Sequence, residues 1–274
     1  MKWILNLCSC LLYCCTSAYG QAVHASISND IGQAGAYSSH FSNAFSFLSN
    51  AACLGSKGGF QCGLTLEQKW MMKELNEYQL AAAIEKERMG IGVMFRSSGD
   101  TDYGEREFKL AFGKNLGKLE LGIFFNYLME QVSGYPDHGF ATSGIAVRFH
   151  VTPKLITGWE LGLPVFGRIG ETNTETGPGA FRMGMGYEVT SNILIAFQIV
   201  KQSGLPMNFL GSLEYQYNRQ FLFSFGIDSG SGSPYFKSGW KKNQLGILIY
   251  SSYHPLLGFT PGLIFLWQAK AEKG

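Results

Sequence analysis

The sequence has few charged residues. Asp, Glu, Lys and Arg together make up 15% of the 274 residues, against roughly 25% in an average soluble domain. Basic residues form no clustered face, and the formal net charge is only +2, so we expect no nucleic-acid partner. Low charge, with 35 Gly and 14% aromatic residues, is typical of a chain whose outer surface need not contact water.

The sequence also lacks the recognisable motifs of catalysis. HExxH, GxSxG, a Walker loop and, after residue 20, CxxC are all missing. The five histidines are scattered along the chain, and no group of residues has the spacing of a metal site. We therefore predict a protein that is not an enzyme and that holds no metal and no cofactor.

The first twenty residues have the pattern of a secretory signal. Lys2 precedes an uncharged stretch, and small residues flank Tyr19, so we predict a signal peptide over 1–20 with cleavage before Gln21. Lipoprotein processing at Cys10 or Cys15 is the alternative. Either way the chain is exported.

Two cysteines remain after removal of that segment. Cys53 and Cys62 flank the glycine-rich stretch LGSKGGFQ, and disulfides form in oxidising compartments. We predict a disulfide between them, with two buried free thiols as the alternative.

Strict alternation of apolar and polar residues fills most of the chain. In GKLELGIFFNYLME, apolar residues occupy one side of a period-2 strand, and Glu120 and Asn126 fall on the other. The pattern predicts about fourteen strands of ~10 residues, the length with which a tilted strand crosses a hydrocarbon core. Polar positions on these strands are interspersed with Gly and Ala, as inside a closed barrel. The predicted lumen-facing polar residues are Glu120, Asn126, Arg148, His150, Glu160 and Glu214.

The connections between these strands alternate between short and long. Outer-membrane barrels have short turns on the periplasmic side and longer loops outside. We therefore predict an all-β fold, a closed antiparallel transmembrane β-barrel over 59–274 that contacts outer-membrane lipid in a Gram-negative bacterium. A soluble exported β protein is a rival interpretation.

One stretch resembles a membrane helix. Residues 245–267 contain no Asp, Glu, Lys or Arg, and the stretch is long enough to span a bilayer. Pro255 and Pro261 interrupt it, and proline breaks a helix interior. We therefore predict two strands joined by a loop.

The segment IGQAGAYSSHFSNAFSFLSNAACLG, residues 31–55, resembles the amino-terminal signature of the PorV/PorQ proteins and their FadL-like relatives. Ala51 stands where that family has proline, and Asn43 where it has Asp. The final stretch SSYHPLLGFTPGLIF resembles the last hairpin of the family. The matching residues include Gly32, Gly35, Asn50 and Ala52, which we take as the hatch motif that the resemblance implies.

This resemblance implies a fourteen-stranded outer-membrane barrel with a hatch inside its lumen, formed by residues 21–58, and a periplasmic N-terminus. A disordered tail is the alternative for that segment. The resemblance also implies an accessory role in type IX protein secretion or surface attachment, as in PorQ, with secretion-system proteins or secreted cargo as partners. The FadL-like branch implies passage of hydrophobic small molecules instead.

Two features would separate these roles. Transport predicts an apolar pocket behind the hatch and a break in the barrel wall near Gly204–Pro206. Secretion predicts a plugged lumen and contacts through the external loops.

Overall fold

A computed structural model describes residues 34–56, 59–166, 179–218 and 220–269; the predicted signal peptide and Gly32 lie outside them. A one-turn helix α1 (Ser46–Ser49) and a 3₁₀ turn at Ala51–Cys53 precede the sheet. The strands are β1 (Gly59–Gln68), β2 (Asn76–Lys86), β3 (Met89–Gly99), β4 (Tyr103–Asn115), β5 (Leu119–Val132), β6 (His138–Thr152), β7 (Leu155–Phe166), β8 (Ala180–Thr190), β9 (Ile193–Gln202), β10 (Asn208–Tyr217), β11 (Phe221–Asp228), β12 (Ser233–Lys242), β13 (Leu245–His254) and β14 (Gly258–Gln268).

These fourteen strands form one closed antiparallel barrel, which confirms the predicted fold class. Each strand pairs with its neighbours in sequence, and β1 closes the ring by pairing with β14 from Gln61↔Gln268 to Glu67↔Gly262. Closure satisfies the backbone donors and acceptors that an open sheet would leave at its edges. No helix within the described residues combines the length and hydrophobicity needed to span a membrane.

The outer surface of the barrel is apolar. On β3, Met89, Ile91, Val93 and Phe95 are each 40–49% exposed, and the same alternation continues on the other strands. Soluble monomers rarely expose apolar surface over such an area, whereas a lipid-facing barrel wall requires it. The apolar side of the alternation therefore faces outward.

The two ends of the barrel differ. At the turn end, six connections have only two or three residues, such as Glu87–Arg88 between β2 and β3; β1 starts and β14 finishes at this end. The opposite end is called the loop end. Its connections are not all long, because the ladders run further than alternation predicts: Gly99 pairs with Gly104, and His254 with Gly258.

Two predictions concern particular stretches. Residues 245–267 form β13, a turn and most of β14, which confirms two strands rather than a helix. Gly204–Pro206 lies in the β9–β10 connection, while β9 and β10 pair from Asn208↔Val200 to Tyr215↔Ile193. The predicted break in the wall is therefore wrong at that position.

Candidate functional site: the barrel lumen

Residues 34–56, called here the luminal segment, lie inside the barrel. Phe45, Phe47 and Leu48 are nearly inaccessible to solvent. They form one apolar cluster with wall residues from opposite sides of the lumen, such as Phe124 of β5 and Tyr235 of β12. A chain held from both sides fills the lumen at the turn end.

Glycines on the inward side of the wall make room for the luminal segment. A Cβ atom added at Gly113 would lie 2.5 Å from the carbonyl oxygen of Leu54, and one at Gly122 would lie 2.5 Å from the amide nitrogen of Ala52. Both contacts are with backbone, which cannot rotate away. The glycines at these wall positions therefore allow direct backbone approach.

Asn50 and its neighbours anchor the middle of the segment. The Asn50 Nδ2 group donates to the carbonyl oxygens of Val147, at 3.2 Å, and Trp159, at 3.3 Å. Asn50 Oδ1 accepts from the Ala52 amide at 3.0 Å. Asn50 and Ala52, both residues of the family signature, therefore take part in close backbone contacts in the lumen.

Gly35 is a third signature residue in a crowded position. A Cβ atom added there would lie 2.3 Å from Ser46 Oγ and 3.0 Å from the carbonyl oxygen of Phe41. Because Gly35 has no side chain, the luminal segment can fold back on itself at this position.

Arg148 ties both ends of the luminal segment to the wall. Its guanidinium is fully buried and donates to Glu120 Oε2, to the carbonyl oxygen of Ala36 at 2.8 Å and to Ser56 Oγ. Glu120 Oε1 also contacts His150 Nε2 at 3.0 Å. Glu120, Arg148 and His150, all predicted to face the lumen, thus form one cluster at the turn end.

Glu160, in the middle of β7, forms a second cluster in the lumen. Its Oε2 accepts from the Ala51 amide at 2.9 Å. Its Oε1 is 2.9 Å from Arg182 Nη1 and 3.4 Å from Lys109 Nζ. The Lys109 ammonium also donates to the carbonyl oxygen of Leu48 at 3.0 Å. One carboxylate therefore links the luminal segment to cations from β4 and β8.

Glu188 holds the start of the luminal segment at the turn end. Its Oε1 accepts from Ser38 Oγ at 2.6 Å and from the Ser39 amide at 2.7 Å. Its Oε2 lies 2.6 Å from His40 Nδ1. The segment is thus fastened at several points along its length.

The two remaining predicted residues also lie on the lumen side. Glu214 pairs with Lys237 at 3.0 Å, and both side chains are almost fully buried. Asn126 lies on β5, closer to the loop end than Glu120, and its Oδ1 is buried without a hydrogen-bond partner among the described residues.

A cavity of about 180 Å³ lies in the loop-end half of the lumen, between the luminal segment and the loop end. Leu48 of the segment contributes to its lining, together with apolar side chains of the wall such as Met94 and Phe124. Its polar lining residues are Gln79, Arg96, Glu107, Lys109, Asn126, Glu130, Thr142, Arg182 and Gln202. The pocket behind the segment is therefore mixed in character, whereas the transport hypothesis predicted an apolar one.

Arg96 organises the carboxylates on one side of this cavity. Its Nε donates to Glu107 at 2.8 Å, and its two Nη atoms contact Glu77 at 3.4 Å and Glu105 at 3.3 Å. Lys69 also pairs with Glu77, at 3.0 Å. Two cations therefore pair with three carboxylates on this side of the cavity.

Sequence reasoning missed the cavity residues Gln79, Arg96, Lys109 and Arg182. Each occupies an inward position of the alternation, as in FRMGMGYEV, where Arg182 shares a side with Gly184 and Gly186. Alternation alone could have placed them in the lumen. It could not have brought them together, because they come from four strands.

The predicted disulfide is absent: Cys53 and Cys62 are both free thiols. Cys53 is buried in the luminal segment, whereas Cys62 alternates with the inward residues Gln61 and Gly63 and so faces outward. The barrel wall therefore separates two residues that are close in sequence. Burial also raises the pKa of the Cys53 thiol to about 12, which keeps the thiol protonated and unreactive.

Alkylation tests this arrangement. We expect iodoacetamide to modify both cysteines after unfolding without reductant, and to leave Cys53 unmodified in the folded protein because its thiol is buried and protonated. Mass spectrometry of the peptides measures both results, with a sample reduced before alkylation as the control. A peptide pair joined through Cys53 and Cys62 would contradict it.

Within the described residues, no group of three or more His, Cys, Asp or Glu side chains is arranged to hold a metal ion. Several carboxylates of the lumen, such as Glu160, are instead paired with Arg, Lys or backbone amides. The chemistry that this lumen offers is recognition through charge and hydrogen bonds.

Comparison with known proteins identifies the fold but not the family. No protein-family model matches the sequence, and no curated protein matches it. Among solved structures, the barrel is similar to the toluene transporter TbuX of Ralstonia pickettii, with a TM-score of 0.58, 12% identity, and coverage of 84% of this chain and 94% of that one.

Two other channels have the same fold. The monoaromatic hydrocarbon channel CymD has a TM-score of 0.58 at 12% identity, covering 83% of this chain and 93% of that one. The P. putida toluene transporter TodX has a TM-score of 0.56 at 10% identity, covering 88% and 99%. The barrel therefore shares its fold with these channels, and membership of the FadL-like or PorV/PorQ families stays a prediction.

Proposed function

We infer that the chain is a noncatalytic outer-membrane barrel that passes small molecules with an apolar body across the membrane. The observation that carries this proposal is the partly open cavity of about 180 Å³ inside the barrel, between the luminal segment and the loop end. The fold likeness to transporters of toluene and other one-ring hydrocarbons supports it. Passage in this proposal requires the luminal segment to shift, so the segment acts as a hatch.

The same proposal includes an orientation. The short connections, the start of β1 and the finish of β14 share the turn end, and short turns of such barrels face the periplasm. The N-terminus is then periplasmic, and the cavity lies on the side from which external molecules arrive.

Uptake by whole cells tests the function. We expect a Gram-negative host expressing the chain to take up labelled toluene faster than the same host with an empty vector. The Ala180→Phe variant, which places a ring in the cavity lining, should lose most of that increase because it occupies the space a substrate needs. The measurement is the initial rate of uptake at equal amounts of folded barrel in the outer membrane.

Ala82→Phe is the matched control. Ala82 alternates with the buried residues Ala81 and Ala83 on β2 and so faces outward, where an extra ring contacts lipid. It should keep the wild-type rate. Equal uptake by the wild type and the empty vector would overturn the transport proposal.

An accessory role in type IX secretion or surface attachment is the second candidate. It is favoured by the filled turn end of the lumen, since the luminal segment contains Gly35, Asn50 and Ala52 of the PorV/PorQ-like signature. Membrane fractionation of the native strain, gentle detergent extraction and identification of copurifying proteins separate the two. Secretion-machinery components or surface cargo in that fraction, without toluene uptake, would favour this candidate.

A further inference from the structure

The exposed charges of the barrel are distributed unevenly between its two ends. Among the described residues, the turn end has one exposed acid, Glu87, and these exposed cations: Lys86, Arg88, Lys114, Lys118, Lys154, Lys241 and Lys242. The exposed charges of the loop end are Lys73, Arg106 and Lys201 and the acids Glu74, Asp100, Asp102 and Asp137. The fold therefore gathers cations at the turn end, and the prediction that basic residues form no clustered face is wrong there.

Five of these cations form an arc along one half of the ring. The arc, called here the basic rim, consists of Lys86, Arg88, Lys114, Lys118 and Lys154. Arg88, Lys118 and Lys154 lie in the β2–β3, β4–β5 and β6–β7 turns. Their carbonyl oxygens each accept an amide N–H at 2.8 Å, from β4, β6 and β8 respectively. Three consecutive turns are thus held in the same way, and their cations follow one another around the rim.

The corresponding turn positions on the other half of the ring are uncharged. There the carbonyl oxygens of Asn192, Gln220 and Gln244 accept the equivalent bonds, at 2.8, 2.6 and 2.9 Å. The described cations on that half are Lys241 and Lys242, at the end of β12. Among the described residues, a cation therefore occupies this turn position only between β2 and β7.

The cations of the basic rim have little compensation from acids. Within the described residues, the ion pair of this rim joins Lys86 to Glu87 at 3.8 Å, with side chains 86% and 83% exposed, and such exposed pairs contribute little. Lys154 donates to a backbone carbonyl at 3.2 Å, which leaves its charge uncompensated. The other three cations have no ion pair with a described carboxylate.

Buried acids near the turn end lie on the lumen side of the wall. They are Glu85, Glu120 and Glu188. Glu120 is bound by the buried Arg148, and Glu188 accepts from the luminal segment. Counting these buried groups with the exposed ones gives eight described cations against four acids at this end. The turn end therefore keeps a net positive charge, and its exposed part is on the outside.

Apolar side chains that face lipid reach into the same turns. Met89 and Leu119 directly follow Arg88 and Lys118 and are 40% and 37% exposed, while Leu116, within the β4–β5 turn, is 52% exposed. Neighbouring Cα atoms are about 3.8 Å apart, and the headgroup layer of a bilayer is about 5 to 8 Å deep on each side. The cations of the rim therefore start at the edge of the apolar wall, at the depth of lipid headgroups.

From this geometry we propose that the basic rim binds the phosphate groups of anionic phospholipids in the leaflet at the turn end. Arg88, Lys118 and Lys154 contact the phosphates, because their aliphatic stems can lie along the apolar wall while their charged ends reach the headgroups. Cations beside an anionic lipid surface are attracted to it. The site goes beyond the transport function proposed above and does not depend on it.

Lipid retention by the purified full chain tests this site. The chain is folded into vesicles of equal parts phosphatidylglycerol and phosphatidylcholine and extracted in mild detergent, and mass spectrometry measures the lipids that copurify. We expect phosphatidylglycerol to be enriched about 5- to 30-fold, the range given by one or two cations at a membrane surface. Equal amounts of the two lipids would overturn the proposal.

Salt provides a test that needs no variant. At about 1 M NaCl the screening length falls to about 3 Å, so most of the enrichment should be lost. Enrichment that is the same at low and high salt would overturn binding through the charges of the rim.

A triple variant connects the enrichment to the named turns. Arg88→Gln, Lys118→Gln, Lys154→Gln should reduce it at least fivefold. The matched control Lys73→Gln, Arg106→Gln, Lys201→Gln removes the same charges at the loop end and should keep the wild-type enrichment. Equal losses in both triple variants would assign the effect to net charge and contradict the site.

A soluble acidic protein would give a different outcome. If the rim variant keeps the lipid enrichment but loses an acidic protein that copurifies with the wild type from the native strain, the rim binds that protein. The lipid proposal would then be overturned.

Discussion

Replacing Arg148 by methionine is expected to destabilise the folded barrel by about 3–5 kcal/mol, the usual cost of removing one partner of a buried ion pair. The change leaves Glu120 buried beside His150 and Asn115, and it removes the contacts to Ala36 and Ser56. The luminal segment would then lose one attachment at each end, while Glu188 still accepts from Ser38 and Ser39. Urea unfolding in lipid vesicles measures the free energy, and proteolysis measures release of the segment.

Two further variants show whether a loss of stability comes from the buried cluster itself. Arg106→Met makes the same change on the outward side of β4, where an apolar side chain suits lipid, so we expect no loss of stability. The double variant Glu120→Gln, Arg148→Met should recover part of the loss, because it no longer buries an unpaired carboxylate. If Arg148→Met unfolds at the same urea concentration as wild type, the cluster does not hold the segment.

Alanine at Gly113 and Gly122 is expected to open the barrel. Each new Cβ would lie 2.5 Å from a backbone atom of the luminal segment, and such overpacking costs about 1–3 kcal/mol. If this cost destabilises only the state in which the luminal segment is bound in the lumen, each substitution raises the fraction of barrels with a released segment about 5- to 150-fold. Conductance of planar bilayers containing the double variant measures the effect, and it should exceed that of wild type.

Gly246→Ala is the matched control for these substitutions. Gly246 also faces inward, but a Cβ there would come no closer than 3.5 Å to a neighbouring atom, Leu266 Cβ. We expect conductance like that of wild type. An equal increase in the control and in the double variant would show that alanine loosens the wall in general. It would contradict the idea that close contact of Gly113 and Gly122 with the luminal segment keeps the barrel closed.

Alternation was sufficient to predict the wall of the barrel. In GKLELGIFFNYLME the period of two places Glu120 and Asn126 on the side opposite Ile123 and Phe125, and the structure has Ile123 exposed at 58% and Glu120 fully buried. A strand has only two faces, so assigning one residue to the lumen or to the lipid assigns every other side chain on that strand. The number of strands follows from the number of such stretches.

Local sequence could not predict which residues meet in the lumen. Arg148 contacts the carbonyl of Ala36, 112 positions away, and Glu160 contacts Lys109, 51 positions away. The positions of these contacts depend on the register of each strand pair and on the path of the luminal segment. The cavity and its polar lining arise only from that combination.

Cys53 and Cys62 show the same division between sequence and tertiary structure. Their closeness in sequence and an oxidising compartment favour a disulfide, but the wall passes between the two thiols. The sequence by itself determined that this chain is a lipid-facing barrel, because alternation and composition are local properties of strands. Only the tertiary structure decided how its lumen is filled and charged, because closure of the ring brings together side chains that no local pattern relates.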